Sequence, residues 1–146
     1  MSRIRVFLDS NVLASYFLGK PEAKRLFDRD VTKRVQYIIS PLVLQELLLM
    51  SDELAKKENG EQINELLSKY LTVKELDEDT IRASVDRIKE LRNRLVHAND
   101  LLNIQVAAIT SDFFVTKDKD LLSLKHVDSV EVITPERFFD LLEKAA

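Results

Sequence analysis

Short runs of β-branched and aromatic residues alternate along this chain with longer stretches whose apolar positions recur every three or four residues. Ile4, Val6, Phe7 and Leu8 lie in a run that ends abruptly at Asp9, too short for a buried helix and matched to an interior parallel strand. Ser10 and Asn11 then start a helix through Val12, Leu13, Tyr16 and Phe17, which Gly19 stops. Pro21 opens a second predicted helix, PEAKRLFDRD, with Leu26 and Phe27 inward, and VQYII at 35–39 is the next strand. Ser40-Pro41 has the form of an N-cap followed by proline in the first turn of a helix running to about Lys57. Asn59-Gly60 breaks it, and 61–71 is helical again with Ile63, Leu66, Leu67 and Tyr70 inside.

Residues 77–93 are expected as one helix with Ile81, Val85, Ile88, Leu91 and the following Leu95 in a single stripe, and 99–110 as another. Phe113 to Val115 is a strand, TKDKD a polar turn, 121–124 a helical turn, and Val130 to Ile133 a last strand. Thr134-Pro135 caps a terminal helix that turns Phe138, Phe139, Leu141 and Leu142 inward. Strands alternating with helices predict an α/β fold, a doubly wound three-layer sandwich around a small, mainly parallel sheet. No internal repeat, low-complexity tract or linker interrupts the pattern, so a single domain over 1–146 is expected. In such sheets ligands bind beyond the carboxyl ends of the strands, where strand order reverses.

Composition narrows the chemistry. The chain lacks cysteine, which removes disulfides, thiolate zinc sites and thiol nucleophiles. The segment MSRIRVFLDSNVL carries Asp9 and Asn11 inside its only apolar stretch, a poor signal peptide, and no apolar run approaches the length of a membrane span. A cytoplasmic location is the expectation. With 22 Lys+Arg against 25 Asp+Glu the net charge is -3, which taken as a total speaks against a nucleic-acid partner. Position matters more than the total.

Asp9 follows the first strand directly, at the edge where ligands bind, although an ordinary helix N-cap also accounts for it. Asp118 stands just beyond a later strand with Asp120 two residues on, and a solvated, capping turn is the plainer account of that pair taken alone. Within 42–50 only Gln45 and Glu46 are polar, so this helix is expected to be largely buried, and a buried carboxylate must be protonated, paired or metal-bound. Asp100 lies in the first turn of its helix, where the helix dipole favours negative charge, with Asn103 one turn on and able to orient it. Asp9, Glu46, Asp100 and Asp118 come from four segments that the fold directs to one edge. Clustered carboxylates repel unless something positive lies between them, and a set of oxygen ligands without His or Cys selects hard ions such as Mg²⁺ or Mn²⁺. Such a bowl binds phosphate and activates water, which implies phosphoryl transfer to water.

LDSNVL, SPLVLQEL, NDLLNIQVA and FFVTKDKDLLSL, in this order and spacing, resemble the signature of the PIN-domain ribonucleases over nearly the whole chain. ITPERFFDLL is similar to the tail of a prokaryotic branch of toxins from toxin–antitoxin pairs. The resemblance implies RNA cleavage dependent on Mg²⁺ or Mn²⁺ with a 5′-phosphate product. It also implies Asp9, Glu46, Asp100 and Asp118 as catalytic acids, Asp120 as an additional metal acid, and Asn11 and Thr116 as their polar support. It further implies a homodimer and an antitoxin partner. Two features depart from the family pattern: the stretch before Asp100 (His97-Ala98-Asn99) is poorer in acids, and Lys117 and Lys119 stand beside the metal acids as candidates to contact RNA. The competing readings are a PIN domain reduced to an RNA-binding or scaffold module, and a haloacid-dehalogenase-like phosphatase. The phosphatase wants a second Asp where this chain has Asn11. The basic residues at 20–34 and along 82–94 are mostly expected as solvated helix faces, and His97 and His126 as surface or capping residues.

Overall fold

The structure, a computed structural model, describes residues 3–55, 60–92 and 97–145, those of 51–55 and 60–63 by their backbone alone. The expected elements at Lys57, Asn59, Asn93, Arg94 and Leu95, and the side chain of Ile63, lie outside that description.

In chain order the strands are β1 (Ile4–Leu8), β2 (Val35–Ile39), β3 (Leu71–Val73), β4 (Phe113–Val115), β5 (His126–Val127) and β6 (Val130–Ile133). The α-helices are α1 (Ser10–Phe17), α2 (Arg29–Thr32), α3 (Pro41–Ala55), α4 (Gly60–Lys69), α5 (Glu78–Ala83), α6 (Val85–Arg92), α7 (Ala98–Thr110), α8 (Lys119–Leu122) and α9 (Pro135–Lys144). The strands form one sheet in the order β3-β2-β1-β4-β6-β5, parallel throughout except for the β5–β6 pair. Helices flank it, with α7 packed on β1 and β4 and α3 on β2 and α7. The expected α/β sandwich with a small, mainly parallel sheet is the observed architecture.

Strand β1 lies at the centre because its last three residues are fully buried, as an apolar run without alternation requires. It pairs with β2 on one side and β4 on the other, in registers that set Phe7 beside Phe114, whose rings stack with centroids 5.0 Å apart. From β1 the chain builds outward through β2 and β3, then returns across the sheet to β4 and on to β6. Strand order therefore reverses between β1 and β4, and their carboxyl ends, at Leu8 and Val115, frame the crevice where ligands are expected.

Several expectations are corrected. The segment after Pro21 is a 3₁₀ turn (Pro21–Ala23) and a four-residue α2 instead of one helix. Its buried residues Ala23 and Leu26 are three apart, Leu26 N donates to Ala23 O, and the buried Tyr37 hydroxyl takes the Leu26 carbonyl at 2.6 Å, so local bonds close at the shorter period. Leu71, expected at a helix end, opens β3, where it pairs with Tyr37 of β2; three residues are too few to display a strand period. The helix expected over 77–93 divides at Ser84, whose hydroxyl donates back to the Thr80 and Ile81 carbonyls. Its stripe is correspondingly only part of the core: Leu91 is buried while Ile81 and Val85 are exposed. Tyr70 is likewise exposed, and β5 is an added antiparallel edge. Helix α3 is the largest departure, because it buries Val43 and Leu47, one turn apart, and leaves Leu49 70% exposed. An apolar composition all round does not bury every face of a helix, and here Leu48 and Leu49 stay exposed. No described helix is long and apolar enough to cross a membrane.

Candidate metal centre

Asp9 leaves the end of β1 in extended geometry, and its backbone amide donates to the Val115 carbonyl of β4 at 3.0 Å. It caps α1, its Oδ1 accepting from the Ser10 amide at 2.9 Å, so the capping role and the site position coincide. Oδ2 accepts from the Thr116 hydroxyl at 2.8 Å and from Asn11 Nδ2 at 3.3 Å. Thr116 Oγ1 accepts in turn from Asn11 Nδ2 and from the Asp118 amide, and Asn11 Oδ1 accepts from the Lys117 amide. Asp9 and Asn11, after β1, are thus tied to Thr116 and Lys117, after β4. Asp118 caps α8 through one oxygen, Oδ1, which accepts from the amides of Asp120 and Leu121.

Asp9 and Thr116 are buried, Glu46, Asp100 and Asp118 are half-buried, and Asp120 is exposed. The expected burial of Glu46 is therefore only partial. The charges of these acids act on one another. Burial pushes the Asp9 carboxyl up to about 6, the Thr116 and Ser10 hydrogen bonds oppose the shift, and the charges of Asp100 and Glu46 add to it. The Asp100 carboxyl is also raised, first by burial, then by Asp118, with Glu46 and Asp120 contributing and His97 pulling the other way. Among the described residues none of Asp9, Glu46, Asp100, Asp118 and Asp120 has a salt bridge to Lys or Arg. Among the described residues, Glu46 has no ordinary ion pair that would explain it.

Other expected residues are placed differently. Asn103 is buried, and instead of orienting Asp100 its Oδ1 accepts from the hydroxyl of Ser40 at 2.5 Å. Lys117 Nζ donates to Ser15 Oγ at 2.7 Å and pairs with Glu22 at 2.9 Å, whereas exposed Lys119 has no side-chain partner among the described residues. Ser15, Glu22 and Ser40 carried no signal in the sequence beyond a polar residue near a turn, and their roles come from contacts 63 to 102 residues apart. Several of the basic residues expected on solvated faces are engaged in ion pairs, Arg25 with Glu143 and Asp30, Arg82 with Glu78, and Arg87 with Asp128. His97 and His126 are exposed.

Mutually repelling carboxylates that pair with no Lys or Arg among the described residues suit a hard divalent ion. Among the described residues no three His, Asp or Glu side chains already converge on one point. Carboxylate oxygens are the donor chemistry of hard ions such as Mg²⁺, which keep part of their water shell.

The PIN domain family model matches residues 6–128. The chain is 38% identical over 48 residues to Ribonuclease VapC2 of Methanocaldococcus jannaschii, a match covering 33% of this chain and 32% of that protein, so it spans about a third of that relative's length. The crystal structure of VapBC2 from Rickettsia felis, bound to a DNA fragment from their promoter, superposes with a TM-score of 0.68 at 19% identity over 90% of this chain and 98% of that one. At that identity the likeness concerns the fold.

Proposed function

The chain belongs to the PIN domain family, and on that premise we propose that it is a metal-dependent ribonuclease hydrolysing RNA phosphodiester bonds, the toxin of a toxin–antitoxin pair. The observation that carries the reading is the buried Asp9 carboxylate at the β1–β4 crevice, held by Thr116 and Asn11 and coupled to acids that no Lys or Arg pairs with among the described residues.

Asp9, Asp100 and Asp118, with Asp120 at the rim, would hold Mg²⁺ or Mn²⁺, and Glu46 serves as a further ligand or orients the attacking water. When bound there, such an ion would supply a water of lowered pKa and charge to offset that of the scissile phosphate. Thr116 and Asn11 aim Asp9, because both donate to the same oxygen, and the Thr116 bond favours the ionised form against the burial that raises its pKa. Glu46 is coupled to the same acids and would accept the proton of a water in line with the 3′ oxygen, which would depart as an alkoxide, take a proton from solvent and leave 3′-hydroxyl and 5′-phosphate ends. Lys119 is available to an RNA phosphate, while Lys117 is engaged with Glu22. The relative named Ribonuclease VapC2 supports the activity, and the VapBC2 structure supports an antitoxin partner; a homodimer goes with this reading. A cytoplasmic location goes with this reading.

The absence, among the described residues, of three converging ligands favours one alternative, a catalytically weak RNA-binding or scaffold module. Asn11, an amide hydrogen-bonded to Asp9 and Thr116, cannot serve as the general acid of a haloacid-dehalogenase-like phosphatase. RNA cleavage in Mn²⁺ by the wild type and its loss in Asp9→Asn, with circular dichroism unchanged, is the expected outcome. Undiminished cleavage by Asp9→Asn overturns the assignment, and the absence of saturable Mn²⁺ binding in calorimetry favours the scaffold.

A further inference from the structure

Two buried polar residues join the helices that carry Glu46 and Asp100. Ser40 is 2% exposed and stands between β2 and α3, six residues before Glu46; Asn103 is 3% exposed and lies in α7, three residues after Asp100. The Ser40 hydroxyl donates to Asn103 Oδ1 at 2.5 Å and accepts from the Val43 amide at 3.2 Å. Its one proton is committed to α7 and its lone pair to the first turn of α3. The two helices are in contact here, with apolar Val43, Leu47, Ile104 and Ala107 buried on them. Apolar contact is non-directional and lets helices slide or turn, whereas a short buried hydrogen bond fixes both distance and rotation. A restraint is needed at this place, because the charges of Glu46 and Asp100 repel one another and both repel Asp9.

We propose that the Ser40–Asn103 hydrogen bond is a clasp that sets Glu46 and Asp100 at the spacing a divalent ion requires, which makes the two a positioning pair for the site. The proposal rests on the reading of those acids as metal ligands. It gives Asn103 a role through α3 instead of through Asp100, and gives Ser40 a role beyond capping.

Calorimetric titration of Mn²⁺ into the whole chain, with thermal midpoints measured in parallel, tests it without any reaction. Saturable binding by the wild type and its loss in Asp9→Asn tests the ligand reading by itself, and no binding by the wild type overturns that reading and the clasp with it. Given wild-type binding, Asn103→Leu and Ser40→Ala are each expected to weaken Mn²⁺ on the order of 10-fold. The double variant is expected to be no weaker than the worse single one, since both remove the same bond. Tyr37→Phe, which removes another buried hydrogen bond away from the acids, is expected to lower the midpoint and leave Mn²⁺ affinity unchanged. If Asn103→Leu does not fold, Ser40→Ala against Ser40→Thr makes the same comparison, with Thr expected to restore wild-type affinity because it keeps the hydroxyl. Singles that lower the midpoint as Tyr37→Phe does, with Mn²⁺ affinity within twofold of wild type, overturn the proposal.

Discussion

Thr116 Oγ1 donates to Asp9 Oδ2 at 2.8 Å, joining the first residue beyond β4 to the first residue beyond β1. Thr116 is fully buried, and its oxygen also accepts from the Asp118 amide and from Asn11. Thr116→Val keeps the shape and removes the hydroxyl, leaving a buried carboxylate short of a donor and an amide without its acceptor. A loss of about 1 to 3 kcal/mol in urea unfolding is expected, together with weaker Mn²⁺ binding. Wild-type stability and affinity in Thr116→Val would show that the bond matters little.

Asp9 makes the metal-free protein pH-sensitive in a definite direction. Its carboxyl lies at about 6 in the folded chain against an ordinary value of 3.8, so between those values the folded state binds more protons than the unfolded one. Stability from this group is present below about pH 4 and is lost as pH rises through about 6, by up to about 3 kcal/mol. Asp9→Asn cannot ionise and escapes the loss. In chelator, its urea midpoint is expected to rise relative to wild type between pH 4 and 7, and parallel pH profiles would contradict the burial argument. Mn²⁺ should act oppositely on the wild type, binding more tightly as pH rises through the same interval, because the ligand must be deprotonated.

Lys119 and Lys117 are two residues apart and engaged differently. Removing a phosphate contact lowers the slope of log affinity against log salt by about one. Lys119→Ala is expected to do so for RNA binding by the cleavage-deficient Asp9→Asn variant. Lys117→Ala should leave the slope nearly unchanged, since its ammonium is held by Ser15 and Glu22. The reverse order of effects would place the RNA on the other side of the turn.

Gly19 ends the first helical unit with φ +72, a left-handed conformation that favours glycine. An added Cβ would meet no atom within 4 Å, so the cost of Gly19→Ala is that of the backbone alone, about 1 kcal/mol. Gly19→Asn should cost less, and thermal midpoints rank the three. Equal midpoints for Gly and Ala would mean the turn adopts another conformation.

The central strands were legible because β1, β2 and β4 are short apolar runs closed by a polar residue, and burial on both faces leaves no alternation to confuse them. Helices α1 and α9 were legible from their caps and periodicity, and α7 from its run of apolar residues. Strand β3 was not, because three residues become a strand only when β2 offers its free edge. Helix α3 misled for the opposite reason: its composition records how apolar it is, not how many neighbours it has.

By itself the sequence determined the alternation of elements, hence the parallel sheet, and placed Asp9 and Asp118 at strand ends, because local propensity and hydrophobic period act over a few residues. Tertiary structure alone decided which strands meet, and so that Asp9 shares an oxygen-bound network with Thr116, that Glu46 and Asp100 raise its proton affinity, and that Asn103 answers to Ser40 instead of to Asp100. Hydrogen bonds and charge effects depend on separation in space, and residues 63 or 107 positions apart come within bonding distance only when the sheet has closed.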